Sequence, residues 1–384
     1  MNKKKTILSI ILGVLIVTGV IVGIKLFTGK SIKTEKYNDV INELDSYSFN
    51  EYENLEFECD VPSISADKVY QIKIERPSVI NDAEASKKKL SQMASKFFGN
   101  EIDTANIIDT VNNSVKYEHI PPNSVDGNSD KYAELFASNT FLLNDSKLLH
   151  EIRYEKEVTA KAPFVKLSDN TTKIITLNGN EVNLSELVEK AKNEIERCCA
   201  DVLNTDEQIM PYDAVIMKST IDGSEYITLR FSHIIEGIEY NEDGFAPTPD
   251  EGAVTLPSYI TVEMTDDGEI ATIQNYYYFS IKEKTELEKI APLSEATDTL
   301  SNQLAPNYKY KVSNVSLKYV NLSECAQVDS ELRPMWCYTL DEYSGGFGDP
   351  SNFFQTQNAY VDAQNGNVYL VDSKSRMFEI HEFK

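Results

Sequence analysis

An α+β fold, made of helix-plus-antiparallel-sheet units behind a single N-terminal transmembrane helix, is what this sequence predicts. Three observations carry it: an uncharged apolar run near the start, amphipathic helical stripes, and strand pairs closed by Asp-Gly and Asn-Gly turns.

Residues 6–24 read TILSIILGVLIVTGVIVGI, nineteen residues without a charge. At about 1.5 Å per residue that run nearly crosses a hydrocarbon layer of roughly 30 Å. Leu26 and Phe27 complete the span, with Lys25 snorkelling to the interface. A cleavable signal peptide ends in a small-residue site, whereas Lys-Leu-Phe-Thr-Gly-Lys follows here, and the first cysteine, Cys59, is too distant for a lipoprotein. The expectation is a cytoplasmic tail over 1–5 and a signal anchor over 6–27. Lysines flank the span on both sides, so the positive-inside rule does not orient it. A tail this short is the usual layout of a signal anchor with an exported C-terminal part, which gives a single-pass cell-membrane protein with an extracytoplasmic body. A cytoplasmic body is the alternative.

The chain has 37 basic and 61 acidic residues; 7 and 1 of them precede Tyr37, which leaves 30 against 60 in the body. Phosphate backbones and anionic lipid surfaces need a basic patch, so nucleic acid is excluded as an expected partner. Solubility is the plain reading of the acidity.

Residues 28–49 are polar with charges of both signs and are expected to form a stalk. A first α+β domain follows over 50–175. It holds strand-like runs at 55–59 and 70–74 and a helix over 82–98 with Ala85, Leu90, Met93, Ala94, Phe97 and Phe98 on its apolar side and Gly99 closing it. Two repeated units come next, over 176–282 and 283–384, each a helix followed by an antiparallel sheet. In the first, Asn183 caps a helix with Glu186 three residues on, and Leu184, Leu187, Val188, Ala191 and Ile195 form the stripe. In the second, Ser294 caps a helix with Ala296, Leu300 and Leu304 inward. Each unit then has a hairpin, turning at Asp267-Gly268 and at Asn365-Gly366, where positive φ is required.

The last hairpin, Val361-Asp-Ala-Gln-Asn-Gly-Asn-Val, the strand Leu332-Arg-Pro-Met-Trp-Cys-Tyr-Thr-Leu and the run Val315-Ser-Leu-Lys-Tyr-Val resemble the PepSY domain family. The C-terminal unit also resembles the membrane-anchored YycH/YycI-type regulators of a cell-wall histidine kinase. The resemblance covers about the last quarter of the chain, with Trp336, Asp362 and Gly366 as its signature. It implies a binding or regulatory module outside the membrane, with a protein partner at the membrane and no catalytic residue to carry over. Physically, Trp336 is expected in the core, Asp362 bonded across its hairpin, and Gly366 required for backbone geometry.

Catalytic patterns are weak. His119, His150, His233 and His381 are scattered without metal-ligand spacing. Ser65-Ala-Asp-Lys68 and Ser86-Lys-Lys-Lys89 lack a Lys-Thr-Gly element. Asp126, Asn128 and Asp130 begin a calcium-loop pattern, but Lys131 and Ala137 stand where glycine and glutamate are needed. The acidic stretches 241–252 and 341–350 read as connections, and Tyr276-Tyr-Tyr-Phe279 as an aromatic shelf with one face in the core. No cofactor or metal is implied. Of five cysteines, Cys325 and Cys337 are the pair a disulfide would use, the alternative being two buried thiols. The expected function is non-enzymatic binding or regulation in the bacterial envelope; a membrane-tethered envelope hydrolase and a scaffold of an export or sporulation assembly are the alternatives. Oligomeric state is not written in the sequence.

Deletion of residues 1–27 is expected to move the protein from the membrane pellet to the soluble fraction, as read by ultracentrifugation in high salt. Both forms pelleting alike would remove the anchor.

Overall fold

The computed structural model describes residues 32–77, 80–111, 113–122, 129–146, 158–166, 174–204, 207–219, 223–240, 243–248, 252–257, 259–275, 279–321, 329–346, 350–371 and 376–380. The apolar run and Cys325 lie outside them. No helix among the described residues is long and apolar enough to cross a membrane.

The chain begins with β1 (Glu35–Lys36), α1 (Tyr37–Leu44), β2 (Leu55–Phe57) and β3 (Tyr70–Glu75). A first helix-plus-sheet unit follows as α2 (Ala83–Phe98), β4 (Ile107–Asp109), β5 (Ser114–His119), β6 (Lys131–Phe136) and β7 (Phe141–Asp145). After β8 (Val158–Lys166) and the hairpin β9 (Ile174–Leu177) and β10 (Asn180–Asn183) comes a second unit. It consists of α3 (Leu184–Cys199), β11 (Glu207–Ser219), β12 (Glu225–Ile235), an excursion β13 (Ile238–Tyr240), β14 (Asp243–Thr248) and β15 (Gly252–Pro257), then β16 (Ile260–Met264) and β17 (Ile270–Asn275). Strands β18 (Ser280–Glu286) and β19 (Lys289–Ile290) lead to a third unit: α4 (Leu293–Gln303), β20 (Lys309–Asn321), β21 (Asp329–Tyr343), β22 (Phe353–Asp362), β23 (Val368–Val371) and β24 (Arg376–Ile380).

Local chemistry explains the helices. Asp82 accepts the Ala85 N–H at 2.9 Å to start α2, and Gly99 ends it at φ 68°. Asn183 accepts the Ser185 N–H at 3.1 Å and donates to Glu186 at 2.9 Å, which is the expected cap of α3. The α3 stripe is buried at Leu184, Leu187, Ala191 and Ile195 and extends to Cys198 and Cys199. Two expectations are corrected. Ala85 is exposed, because it lies in the first turn before α2 reaches the sheet. Ser294 does not cap α4; the helix begins at Leu293 behind Pro292, whose fixed φ suits a helix entry.

The first two units form one antiparallel sheet in the order β4-β5-β6-β7-β17-β16-β12-β11-β8. Their last strands meet: β7 pairs antiparallel with β17, Phe141 opposite Asn275. Leu90 and Met93 of α2 and Leu187 and Ile195 of α3 share a single core with Val115, Leu143, Leu229 and Val262 of the strands. The segment expected to be a separate α+β domain therefore contains a helix with a four-strand meander of its own. Three such units exist where the sequence shows two.

The third unit builds the other core with help from the chain's beginning. Tyr37, Val40 and Leu44 of α1, Leu55 of β2 and Ile72 and Ile74 of β3 are buried with Leu300, Val312, Trp336 and Val361. From Ile32 onward the expected stalk is thus part of the body, and β2 and β3 do not belong to the first domain. The signal was present as Tyr37, Val40, Ile41 and Leu44, spaced to share one helical face, but a helix of eight residues is too short for the period to stand out. β3 lies between β18 and the start of β21, antiparallel to both. The chain leaves this core after β3, builds the two-unit sheet, and returns along β18. The acidic connection expected over 241–252 contains β14 and the start of β15, a hairpin that pairs with β24 through Ala253 and Val254.

Several tyrosines sit deep in these cores. Burial raises the Tyr37 hydroxyl from 10.0 to about 12, and it pushes Tyr319 and Tyr338 upward as well. The folded state holds these protons more tightly than the unfolded chain, so the Tyr37 contribution is complete below pH 10.0 and is lost as pH rises through about 12, with Tyr319 and Tyr338 following at higher pH. Alkaline titration followed by phenolate absorbance is expected to show late-ionising tyrosines that become ordinary on unfolding. In the core of the first two units, Ile195→Ala is expected to cost about 2–5 kcal/mol in chemical denaturation, since Ile195 is fully buried.

Candidate functional site at the N-terminal junction

The three signature residues are brought together by one end of the third sheet. Trp336 lies mid-strand on β21, opposite Leu317 and Val361, and is fully buried. Its indole N–H donates to the Ala291 carbonyl at 2.9 Å, which meets the single polar demand of the ring. Ala291 in turn donates its N–H to the Ala363 carbonyl at 2.7 Å, and Ala363 donates to the Pro334 carbonyl at 3.1 Å. The entry to α4 is stitched in this way to the turn after β22.

Asp362 ends β22 with no exposed surface. Its carboxylate accepts from the Gln364 N–H at 2.8 Å, from the Asn365 side chain at 2.9 Å and from Arg333 at 3.2 Å. Its carbonyl accepts the Gly366 N–H at 2.8 Å. These bonds satisfy the buried charge and fix the turn. Gly366 has φ 78°, and a Cβ there would stand 2.8 Å from the Ile32 Cβ. The turn is thus a seat for Ile32, the first of the described residues. Immediately afterwards Glu35 pairs with Ile290 and Lys36 with Lys289, antiparallel, and the Tyr37 N–H donates to the Glu288 carbonyl at 3.0 Å. The Lys33–Glu35 ion pair closes the rim; the hydrogen bond to Glu35 raises the Lys33 ammonium above its ordinary value.

Two polar groups that the sequence did not single out tie the units together. Asp213 and Arg230, opposite each other on β11 and β12, form a two-pronged ion pair. Arg230 lies 4.6 Å from the Tyr259 ring centre and 5.9 Å from that of Tyr212, and Lys318 of β20 approaches Tyr212 from the third unit at 5.7 Å. A register shift between Pro211 and Asp213 turns Tyr212 towards this cluster, and a bulge leaves no mark in hydrophobic periodicity. His233 and Glu207, both fully buried, are hydrogen-bonded, and Asn204 donates to the same carboxylate at 3.0 Å while accepting the Ile281 N–H at 3.1 Å. His119 bonds Asp130 at 2.5 Å and is half-exposed. Phe279, the described end of the expected aromatic shelf, is in the core against Tyr240. Among the described residues no cluster of three or more His, Cys, Asp or Glu is arranged to hold a metal ion. Cys337 is buried on β21. Burial pushes the Cys198 thiol up to about 12, with the Glu194 hydrogen bond adding to it, and keeps Cys199 protonated as well.

No protein-family model matches this chain, and no curated protein matches it in sequence. A crystal structure of an uncharacterized protein from Eubacterium rectale is similar in fold. It is 13% identical, with a TM-score of 0.52 over 87% of this chain and 99% of the other. The C-terminal domain of Bacillus megaterium YpeB aligns at 12% identity over 79% of this chain and 100% of that domain, with a TM-score of 0.27, too low to bear on the fold.

Gly366→Ala is expected to lower stability by about 1–3 kcal/mol, through the left-handed backbone and the contact with Ile32. Ile32→Gly is expected to restore part of that loss in the double variant, as measured by thermal unfolding of the purified chain. Equal losses with and without Ile32 would mean that the two residues do not touch.

Proposed function

We propose that this chain is an envelope protein held in the cell membrane by residues 6–27, with its body outside the cytoplasm, and that it acts by binding a protein partner at the membrane. The observation that carries this reading is the N-terminal junction. An anchor ending at Phe27 leaves residues 28–31 before Ile32 is buried against Gly366. At roughly 3.5 Å per extended residue, the body then sits within about 14 Å of the bilayer. Its point of attachment is fixed from Ile32 onward, because β1 pairs with β19 and α1 is packed into the same core. A short mount of this kind suits a protein that exerts or senses contact with a membrane neighbour, as the resemblance to anchored kinase regulators implies. The acidity of the body agrees with a role that avoids nucleic acid and anionic lipid.

Protease added to intact spheroplasts is expected to remove the body, and crosslinking in native membranes is expected to join it to one membrane protein. A flexible glycine–serine insertion between residues 31 and 32 should leave the body folded and accessible yet weaken that crosslink. Protection of the body until lysis would place it in the cytoplasm, and an unchanged crosslink after insertion would remove the short mount from the mechanism.

A further inference from the structure

A helix shorter than about 12–15 residues is marginal in water even with favourable residues, so its ends and its packing decide whether it forms. α1 has eight residues, and its ends oppose it. Lys36 stands at the N-cap without a side-chain cap bond, while Glu43 lies in the last turn, Asp45 at the C-cap, and no basic residue is present there. Positive charge at the start and negative charge at the end both run against the helix dipole; Asp39 in the first turn is the favourable exception. α2 and α3 are built the other way. Each has sixteen residues, a side-chain cap, and a lysine or arginine in its last turn.

Packing therefore holds α1, through buried Tyr37, Val40 and Leu44. β1 adds two residue pairs with β19, and Tyr37 donates its N–H to the Glu288 carbonyl at 3.0 Å and its hydroxyl to the Ala66 carbonyl at 2.9 Å. The grip changes character further along the chain. Tyr52 donates to Asp298 at 2.8 Å; Asn54 donates its amide to the Ser301 carbonyl at 2.8 Å and accepts the Ser301 hydroxyl at 2.6 Å, and its own carbonyl accepts the Tyr310 N–H at 2.8 Å. β2 then pairs with β20, and β3 is clasped along both edges, by six residue pairs with β18 and four with β21. Load applied at Ile32 reaches β1 and α1 before it reaches this firmer attachment. Residues 32–44 are a unit of their own, small and weakly supported from within, which is the character of segments that open locally while the rest of a protein stays folded.

We propose that residues 32–44 are a releasable strap, which leaves the body in an event of its own while β2, β3 and both cores remain folded. With the strap seated, residues 28–31 are the whole tether, about 14 Å when extended. With the strap released the tether is 28–44, which reaches about 60 Å taut at roughly 3.5 Å per residue and averages about 23 Å when slack. Tension along the chain favours the released state because that state is longer. The strap thereby gives the body two heights above the membrane, and the longer tether dilutes it around any membrane neighbour. The two heights rest on the anchor of the proposed function; the release of the strap does not.

Hydrogen exchange of the purified full chain, read by mass spectrometry of peptic fragments, tests the release. Amides of residues 35–44 are expected to exchange on the order of a hundredfold faster than those of β3. An oxidised Lys36→Cys/Lys289→Cys pair, which bridges β1 to β19, should slow them towards the rate of β3, and reduction should undo this. Val40→Asp is expected to bring residues 35–44 to the rate of an unstructured peptide and to leave β3 protected. Equal protection of α1 and β3 in the unaltered chain, exchange indifferent to the bridge, or loss of β3 protection in Val40→Asp would overturn the proposal. In native membranes the bridge should preserve the crosslink to a membrane neighbour and Val40→Asp should weaken it roughly tenfold; an unchanged crosslink in Val40→Asp would remove the two heights. A body found in the cytoplasm would sink the proposed function, and the heights with it, and leave the exchange pattern standing.

Discussion

The structure depends on a core that neither end of the chain can close alone. Leu55, Ile72 and Ile74 from the beginning interleave with Leu300, Trp336 and Val361 from the end. β3 supplies the strand that sits against both β18 and β21. Side-chain bonds repeat the closure at the rim: Tyr52 donates to Asp298 at 2.8 Å and Gln71 to Glu331 at 2.7 Å. Without the N-terminal segment, the third unit would expose a face of aliphatic residues and open strand edges. The other lobe has no such need, since α2 and α3 cover its sheet with residues from within the lobe.

What was legible in the sequence was local. Asn183 as a cap, Gly99 as a stop, and the turns at Gly268 and Gly366 all follow from short-range stereochemistry that a few residues determine. The burial of Trp336 and the hairpin bonds of Asp362 were legible for the same reason, because strand alternation and an Asx-type turn set them. Pairing over distance was not. Tyr70–Glu75 reads as a strand from its own residues, but nothing within it says that its partners lie near Ser280 and Asp329. The domain order read from the sequence was therefore linear where the fold is nested, and the first unit, with its shorter strands, went unrecognised as a repeat. The polar seam around Arg230 escaped because its members come from β11, β12, β20 and the approach to β16, and meet only after the sheet has formed.

Three copies of one unit serve two different purposes. The first two join through β7 and β17 into a continuous sheet whose helices lie side by side. The third turns its edge strand β20 to parallel partners, with β2 along Tyr310–Val312 and β13 along Lys318–Tyr319. The excursion β13–β15 is what makes the lobes one body: β13 enters the third unit's core with Ile238 and Tyr240, and β15 adds to β24. Lys318, bonded to Glu239 at 3.1 Å and close to Tyr212, marks the seam between them.

The nested arrangement also dictates an order of events when the chain is made. Gln71 and Glu331 are 260 residues apart, and Tyr52 and Asp298 are separated by 246. The first strands must therefore wait, with their apolar faces uncovered, until almost the whole sequence has been synthesised. The intervening lobe carries its own core and closes first, drawing the two ends of the discontinuous core towards each other and shortening the loop that remains to be closed. A chain of this design completes its last core only after its C-terminal strands emerge, and its early segments are the ones that need protection from aggregation in the interval.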